Sequence, residues 1–354
     1  MVLDRLERVL AGVRGDWLGA AAGVAGRDLA DDRLLGELVG LGPEVAAAEA
    51  RVGEAPDEEP DEVAFLRSSR LPRLRPILVV LAARASGGGA ADPELQYAAE
   101  LLHTALALHD AAVGPRKNKR RALARQVLRS VGWMGSNRVL LRAMELARHA
   151  GAPGVIDELL DALRGFQEAQ EVVARLQETG VPTVDDWSHH ADGHTGALLA
   201  FCCRAGAALG AVGEADVAAF GRFGRHLGRM WHLAEDVVLL QDEAARTYLV
   251  GRALAGRPML PVAIAATRDP LVADLWRALV EDHDAAAADE LVELLRRTRA
   301  IHGTREIMAR EHWAARQELA RFPDTPHRHA LERLASGVSR APYEDRPPEL
   351  DAYR

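Results

Sequence analysis

The chain has 354 residues, of which 48% are hydrophobic and only 5% aromatic, so a core must be built mainly from Ala, Leu and Val, a mixture suited to closely packed helices. A net charge of −8 and a pI near 5.9 leave no summed positive field to hold a polyanion, which excludes a general nucleic-acid binder. No stretch reaches the roughly 18 apolar residues of a membrane span. The N-terminal MVLDRLERVLAGVRGDWLGAA interrupts its apolar positions with charges, unlike a signal peptide, so a cytoplasmic protein is expected.

Residues 1–51 carry apolar positions at helical spacing, and 52–62 (VGEAPDEEPDE) read as an acidic, solvated loop. From about residue 65 the helical signal is nearly continuous and strand signals are weak. Punctuation falls at Gly87-Gly88-Gly89, Gly114-Pro115, Gly151 to Pro153, Gly180 to Pro182, Gly256 to Pro258, Asp269-Pro270 and Pro323 to Pro326. These sites divide the chain into helices of about 10 to 30 residues joined by short loops. Nothing resembles an interdomain linker or a fixed-period repeat. The expectation is therefore an all-α fold, one large helical domain over 1–340, followed by a flexible tail at 341–354 (APYEDRPPELDAYR). Cys202 and Cys203 are adjacent, so in a helix they point about 100° apart and read as small buried hydrophobes in a reducing compartment.

Two helices carry chemistry. In ELQYAAELLHTALALHDAAVG, Leu95, Ala98, Leu102, Ala105 and Leu106 form an apolar stripe, and His103 and Asp110, seven residues apart, share a face. In GRHLGRMWHLAEDVVLL, the stripe is Leu227, Trp231, Ala234 and Val238, with His232, Glu235 and Asp236 beside it. Polar, ligand-capable groups bordering an apolar seam are how cofactor and metal sites are built inside helical bundles. A third cluster, His189, His190, Asp192 and His194, places His190 and His194 four apart, a spacing that can hold zinc from a helix, although Gly193 weakens the helix there. A simpler reading makes His103 and Asp110 a buried, hydrogen-bonded pair, and the basic run Arg116 to Arg121 (RKNKRR) a solvated loop.

The order of these segments, from about Arg70 to Arg340, resembles the trans-isoprenyl diphosphate synthases, or polyprenyl synthetases. Where that family has G-K-x-x-R-P, this chain has Leu71-Pro72 in place of Gly-Lys, then Arg73 and Arg75-Pro76. The E-x-x-H-x-A-x-L-x-H-D-D-x-x-D stretch is matched by Glu100, His103, Ala105, His109 and Asp110, but Ala111 and Gly114 replace the second and last aspartates. Asn137 stands where a G-D-Y-L-like segment has Asp, Gln170 matches the family's Gly-Gln, and His194-Thr195 takes the place of Lys-Thr in K-T-G-x-L. The second metal motif, F-Q-x-x-D-D-x-x-D, becomes Trp231, His232, Glu235, Asp236 and Leu239. GRPMLP, Gly256 to Pro261, is close to G-K-P-T-L-P.

The resemblance implies an isoprenoid-synthase helical bundle, a homodimer or a heterodimer with an active synthase, and a prenyl diphosphate or other isoprenoid ligand. It implies Asp110, Glu235 and Asp236 as magnesium ligands, and Arg73, Arg75, His103, Arg120, Arg121, His194, His232 and Arg257 as diphosphate contacts. Family members hold three magnesium ions between paired aspartate motifs to neutralise a departing diphosphate. With one carboxylate left in the first motif and two acids in the second, magnesium is expected at a reduced number of sites. The expected function is a non-catalytic or strongly divergent prenyltransferase-family protein. The alternatives are an active prenyltransferase or terpene-forming enzyme using the remaining acids, and a structural or cargo protein. A transition metal shared by His194, His232, Asp236 and Asp110 is a further option.

Overall fold

The structure, a computed structural model, describes residues 74–340 apart from 90, 114–121, 151, 153, 242–244 and 282–284. The helical segment 1–51, the acidic loop 52–62, the tail 341–354 and the residues Arg73, Arg120 and Arg121 lie outside the described residues.

Every regular element among the described residues is a helix. In chain order these are α1 (Leu74–Ala85), α2 (Pro93–Val113), α3 (Ala122–His149), α4 (Val155–Thr179) and α5 (Val184–Ala191); a π-turn (Asp192–Gly196) then joins α5 to α6 (Ala197–Ala207). There follow α7 (Glu214–Gln241), α8 (Ala245–Leu254), α9 (Leu260–Ala266), α10 (Leu271–Glu281), α11 (Ala285–Arg297), α12 (Ala300–Leu319) and α13 (Pro326–Arg340). One hydrophobic cluster runs through all of them from Leu74 to Val338.

The stops read from the sequence work by ordinary helix chemistry. α4 buries Leu159, Ala162, Phe166, Ala169, Val173 and Leu176 at steps of three and four. It ends at Gly180, whose φ of 95° suits glycine and whose N–H donates to the Leu176 carbonyl. The Trp276 indole N–H then donates to the Gly180 carbonyl at 2.7 Å, tying α10 to that corner. α5 starts at a capping box, in which the Thr183 hydroxyl accepts from the Asp186 N–H and the Asp186 carboxylate accepts from the Thr183 N–H.

α6 is the axis of the molecule. All its residues are buried except Arg204, which reaches Glu158 of α4 at 2.7 Å. It is gripped from two sides through glycines: a Cβ on Gly206 would lie 2.3 Å from the Val79 carbonyl of α1, and one on Gly224 of α7 would lie 2.4 Å from the Leu199 carbonyl. α7 lies along α6 and α12, while α2 pairs with α3. Cys202 and Cys203 are both free and fully buried in α6, where burial raises both thiol pKa values, Cys202 to about 12. The stripe Leu95, Ala98, Leu102, Ala105 and Leu106 is buried as expected, and so are Leu227 and Ala234, while Trp231 is only partly covered.

Candidate functional site

Two glycine contacts draw three helices together around the π-turn. A Cβ on Gly193 would lie 2.1 Å from the Gly165 carbonyl of α4, and one on Gly228 of α7 would lie 2.6 Å from the Gly196 Cα. No side chain larger than hydrogen fits at either approach. The weakening that Gly193 brings to the helix emerges as an i→i+5 turn, a feature often found at functional positions. Its effect is to aim His194 and Thr195 at α2 and α7.

Asp110 of α2 is the hub of what results. Its Oδ1 accepts from the Gln170 side-chain amide at 2.6 Å, and its Oδ2 accepts from His194 Nε2 at 2.7 Å and from Arg257 at 2.9 Å. The neighbouring charges of Arg257 and His194, with the His194 and Gln170 hydrogen bonds, overcome burial and hold the carboxyl well below the usual range. A carboxylate only accepts, so His194 carries its proton on Nε2. His194 Nδ1 faces the Thr195 hydroxyl at 3.2 Å, and that hydroxyl faces His232 Nε2 at 2.9 Å. One chain joins the partners: His194 donates to Asp110, and the Thr195 hydroxyl bridges the facing nitrogens of His194 and His232.

Three imidazoles meet here. Ring centroids are 5.3 Å apart for His190 and His194, 5.4 Å for His190 and His232, and 5.6 Å for His194 and His232. His190 is 2% exposed, and neither of its nitrogens has a partner. Burial first, then the charges of neighbouring histidines and of Arg252 and Arg257, keep His190 and His232 far below the ordinary histidine pKa, hence neutral. His103 is held neutral by burial and by Arg75, against the opposing pull of Asp110.

The second acidic pair behaves differently. Asp236 is fully buried; its Oδ1 accepts from Tyr248 Oη at 2.8 Å and Arg252 at 3.2 Å, while Oδ2 has no partner. Burial outweighs Arg252 and pushes this carboxyl up to about 6. Glu235, partly exposed, lies 4.0 Å from His232 Nδ1. Arg75 of α1 lies 3.9 Å from Glu100 of α2.

A clamp braces the turn from behind. Arg229 of α7 donates to both Asp192 oxygens at 2.6 and 2.5 Å, to Ser188 at 3.1 Å and to Glu311 of α12 at 3.0 Å, and Glu311 also takes His226 Nδ1 at 2.6 Å.

Of the residues named from the sequence, Asp110, His194, His232 and Arg257 are thus joined directly or through Thr195, with His103 close enough to feel Asp110 and His194. Asp236 is turned into a separate pair with Arg252. The suggested zinc cluster is not assembled: His189 faces the Asp185 carbonyl, Asp192 is taken by Arg229, and only His190 and His194 stay together. Nor do His194, His232, Asp236 and Asp110 surround a common point; among the described residues no three His, Cys, Asp or Glu side chains are placed to hold a metal ion. Sequence reasoning missed Tyr248, Arg252 and Arg229. For Arg252 a signal existed, since it sits between Leu249 and Ala253 on the buried face of α8, where a charge requires a partner.

The fold is thus an all-α bundle in which acids and histidines of separate helices meet across a glycine-tightened turn. The Polyprenyl synthetase family profile matches residues 72–295. The chain is 30% identical over 230 residues to the geranylgeranyl diphosphate synthase of Mycobacterium tuberculosis, a match covering 61% of this chain and 65% of that protein. It is 25% identical over 322 residues to the nonaprenyl diphosphate synthase of the same organism, covering 84% and 94%. Among solved structures, a decaprenyl diphosphate synthase from Rhodobacter capsulatus has the same fold with a TM-score of 0.71 at 24% identity, over 89% of this chain and 99% of that one. A geranylgeranyl pyrophosphate synthase from Lactobacillus brevis gives 0.72 at 16% identity, over 88% and 100%. The chain belongs to the polyprenyl synthetase family, the trans-isoprenyl diphosphate synthases.

The magnesium ions implied by that membership can be tested against the donors present. Both oxygens of Asp110 are already taken by three donors. Asp236 offers one unpartnered oxygen, fully buried beside a guanidinium, with Glu235 adjacent in sequence. Magnesium is held by one or two carboxylates together with substrate phosphates and water. With a guanidinium already on each aspartate, these side chains do not fit the ion.

Proposed function

We propose that this chain is an isoprenoid-biosynthesis protein that binds prenyl diphosphates and has lost, or strongly altered, the chain-elongation chemistry of its family. The observation that supports this reading is that Asp110 is already engaged inside the chain, by Gln170, His194 and Arg257. Elongation must neutralise a departing diphosphate in a dry site, and a single occupied carboxylate cannot replace a bridging pair. Arg75, His103, His194, His232 and Arg257 would contact diphosphate oxygens. The roles of Arg73, Arg120 and Arg121 rest on their positions in sequence alone. A dimer, with itself or with an active synthase, and a cytoplasmic setting belong to the same reading; no helix among the described residues is long and apolar enough to cross a membrane.

The unpartnered Oδ2 of Asp236 favours a second reading, an enzyme that works from Glu235 and Asp236 alone. One experiment separates the two. The purified protein is incubated with geranyl, farnesyl or geranylgeranyl diphosphate, isopentenyl diphosphate and magnesium, alone and with an active synthase. The first reading expects binding, no diphosphate release alone, and a changed rate or product length in the mixture. Elongation by the lone protein overturns it, and release without elongation supports the second.

A further inference from the structure

Both aspartates that the family would give to metal are held by guanidinium groups of this same chain, and both pairs are inside. Arg257 and Asp110 are 2.9 Å apart with side chains 12% and 6% exposed; Arg252 and Asp236 are 3.2 Å apart at 6% and 0%. A guanidinium stays charged at any working pH and presents five donors in a fixed fork. Arg252 has one to spare: its buried Nε lacks a partner, as does that of Arg75. Both nitrogens of His190 are likewise unpartnered, and the charges of Arg252 and Arg257 reach His190 and His232 alike. Unsatisfied buried donors beside fixed cations describe an anion site. A divalent ion at either aspartate would sit beside a guanidinium, and that charge opposes its entry.

We infer that Arg257 and Arg252 are built-in counter-cations, which disfavour metal binding at Asp110 and Asp236 and let this cluster take a diphosphate group without magnesium. The ligand half of this inference rests on the diphosphate reading above, whereas the exclusion of magnesium does not.

The test is calorimetric titration of the full chain with magnesium alone, and with inorganic diphosphate and geranylgeranyl diphosphate in EDTA or in millimolar magnesium. The wild-type protein should bind no magnesium, and its affinity for either diphosphate should agree within about twofold between the two buffers. Arg257→Gln, which keeps hydrogen bonding but not the charge, should lose about tenfold or more in diphosphate affinity in EDTA and gain magnesium binding at Asp110. Arg257→Lys, which keeps the cation, should remain indifferent to magnesium and guards against a folding defect in the first variant. Magnesium binding by the wild-type chain, or diphosphate binding that needs magnesium, overturns the inference. If neither diphosphate binds in either buffer, the ligand reading falls. The exclusion of magnesium is still decided, being supported if only Arg257→Gln binds the ion and overturned if that variant does not.

Discussion

Acidification from pH 7.5 to 5.5 should destabilise this protein by about 3 kcal/mol, a figure that follows from its buried titratable groups. His103, His190 and His232 are neutral in the fold, with pKa values well below 6.5, mainly through burial. The unfolded chain protonates them near 6.5 and the folded chain does not, so the stability they allow is fully present above that pH and is lost as pH falls below it. Each costs on the order of 1 kcal/mol over this interval, the three together roughly 4. Asp236 acts the other way. Its folded pKa, up to about 6 against 3.8, makes its charged form a burden at neutral pH that protonation relieves, returning roughly 1 kcal/mol by pH 5.5. Asp110 titrates below this window, so it does not enter the balance. A loss of about 3 kcal/mol is a large fraction of the 5 to 15 typical of a folded domain. Urea unfolding at pH 7.5, 6.5 and 5.5 measures it. His190→Leu isolates the cause: its two nitrogens bond to nothing, so the variant should be no less stable at pH 7.5, and its loss on acidification should shrink to about 2 kcal/mol. Equal wild-type stability at pH 7.5 and 5.5, or a pH dependence unchanged by His190→Leu, would refute the reasoning.

Three other variants probe the frame around the site. Gly193→Ala sets a methyl 2.1 Å from the Gly165 carbonyl, so α4 and the π-turn must part; a loss of about 1–3 kcal/mol is expected in thermal melts. Arg229→Met strips the guanidinium from Asp192 and Glu311, and amide exchange across 192–196 should accelerate alongside a loss of about 1–3 kcal/mol. Trp276→Phe leaves the buried Gly180 carbonyl without its indole donor and should cost about 1–2 kcal/mol, visible as a lower urea midpoint with unchanged helicity.

How much of this was legible beforehand depended on the range of the forces involved. Helix positions follow from neighbours three and four residues away and from the φ demands of Gly and Pro, so the stops at Gly87, Gly180, Gly256, Pro270 and Pro326 could be read directly. Boundaries without such residues, as between α10 and α11 or between α11 and α12, could not. The same local logic put His103 with Asp110, and His232 with Glu235 and Asp236, on helix faces.

What a carboxylate is bonded to is a different kind of question. Asp110 meets Gln170, His194 and Arg257 from 60, 84 and 147 residues away, and Asp236 of α7 meets Arg252 of α8 from 16 residues away. Those meetings depend on where whole helices come to rest, and here that is set by the close passage of Gly193 on Gly165 and of Gly228 on Gly196. The residues by themselves pointed to an all-helical member of a prenyl diphosphate synthase family. Only the packing decided that Asp110 and Asp236 are paired with arginines of the same chain, because an ion pair forms where separate helices bring opposite charges into the same dry space.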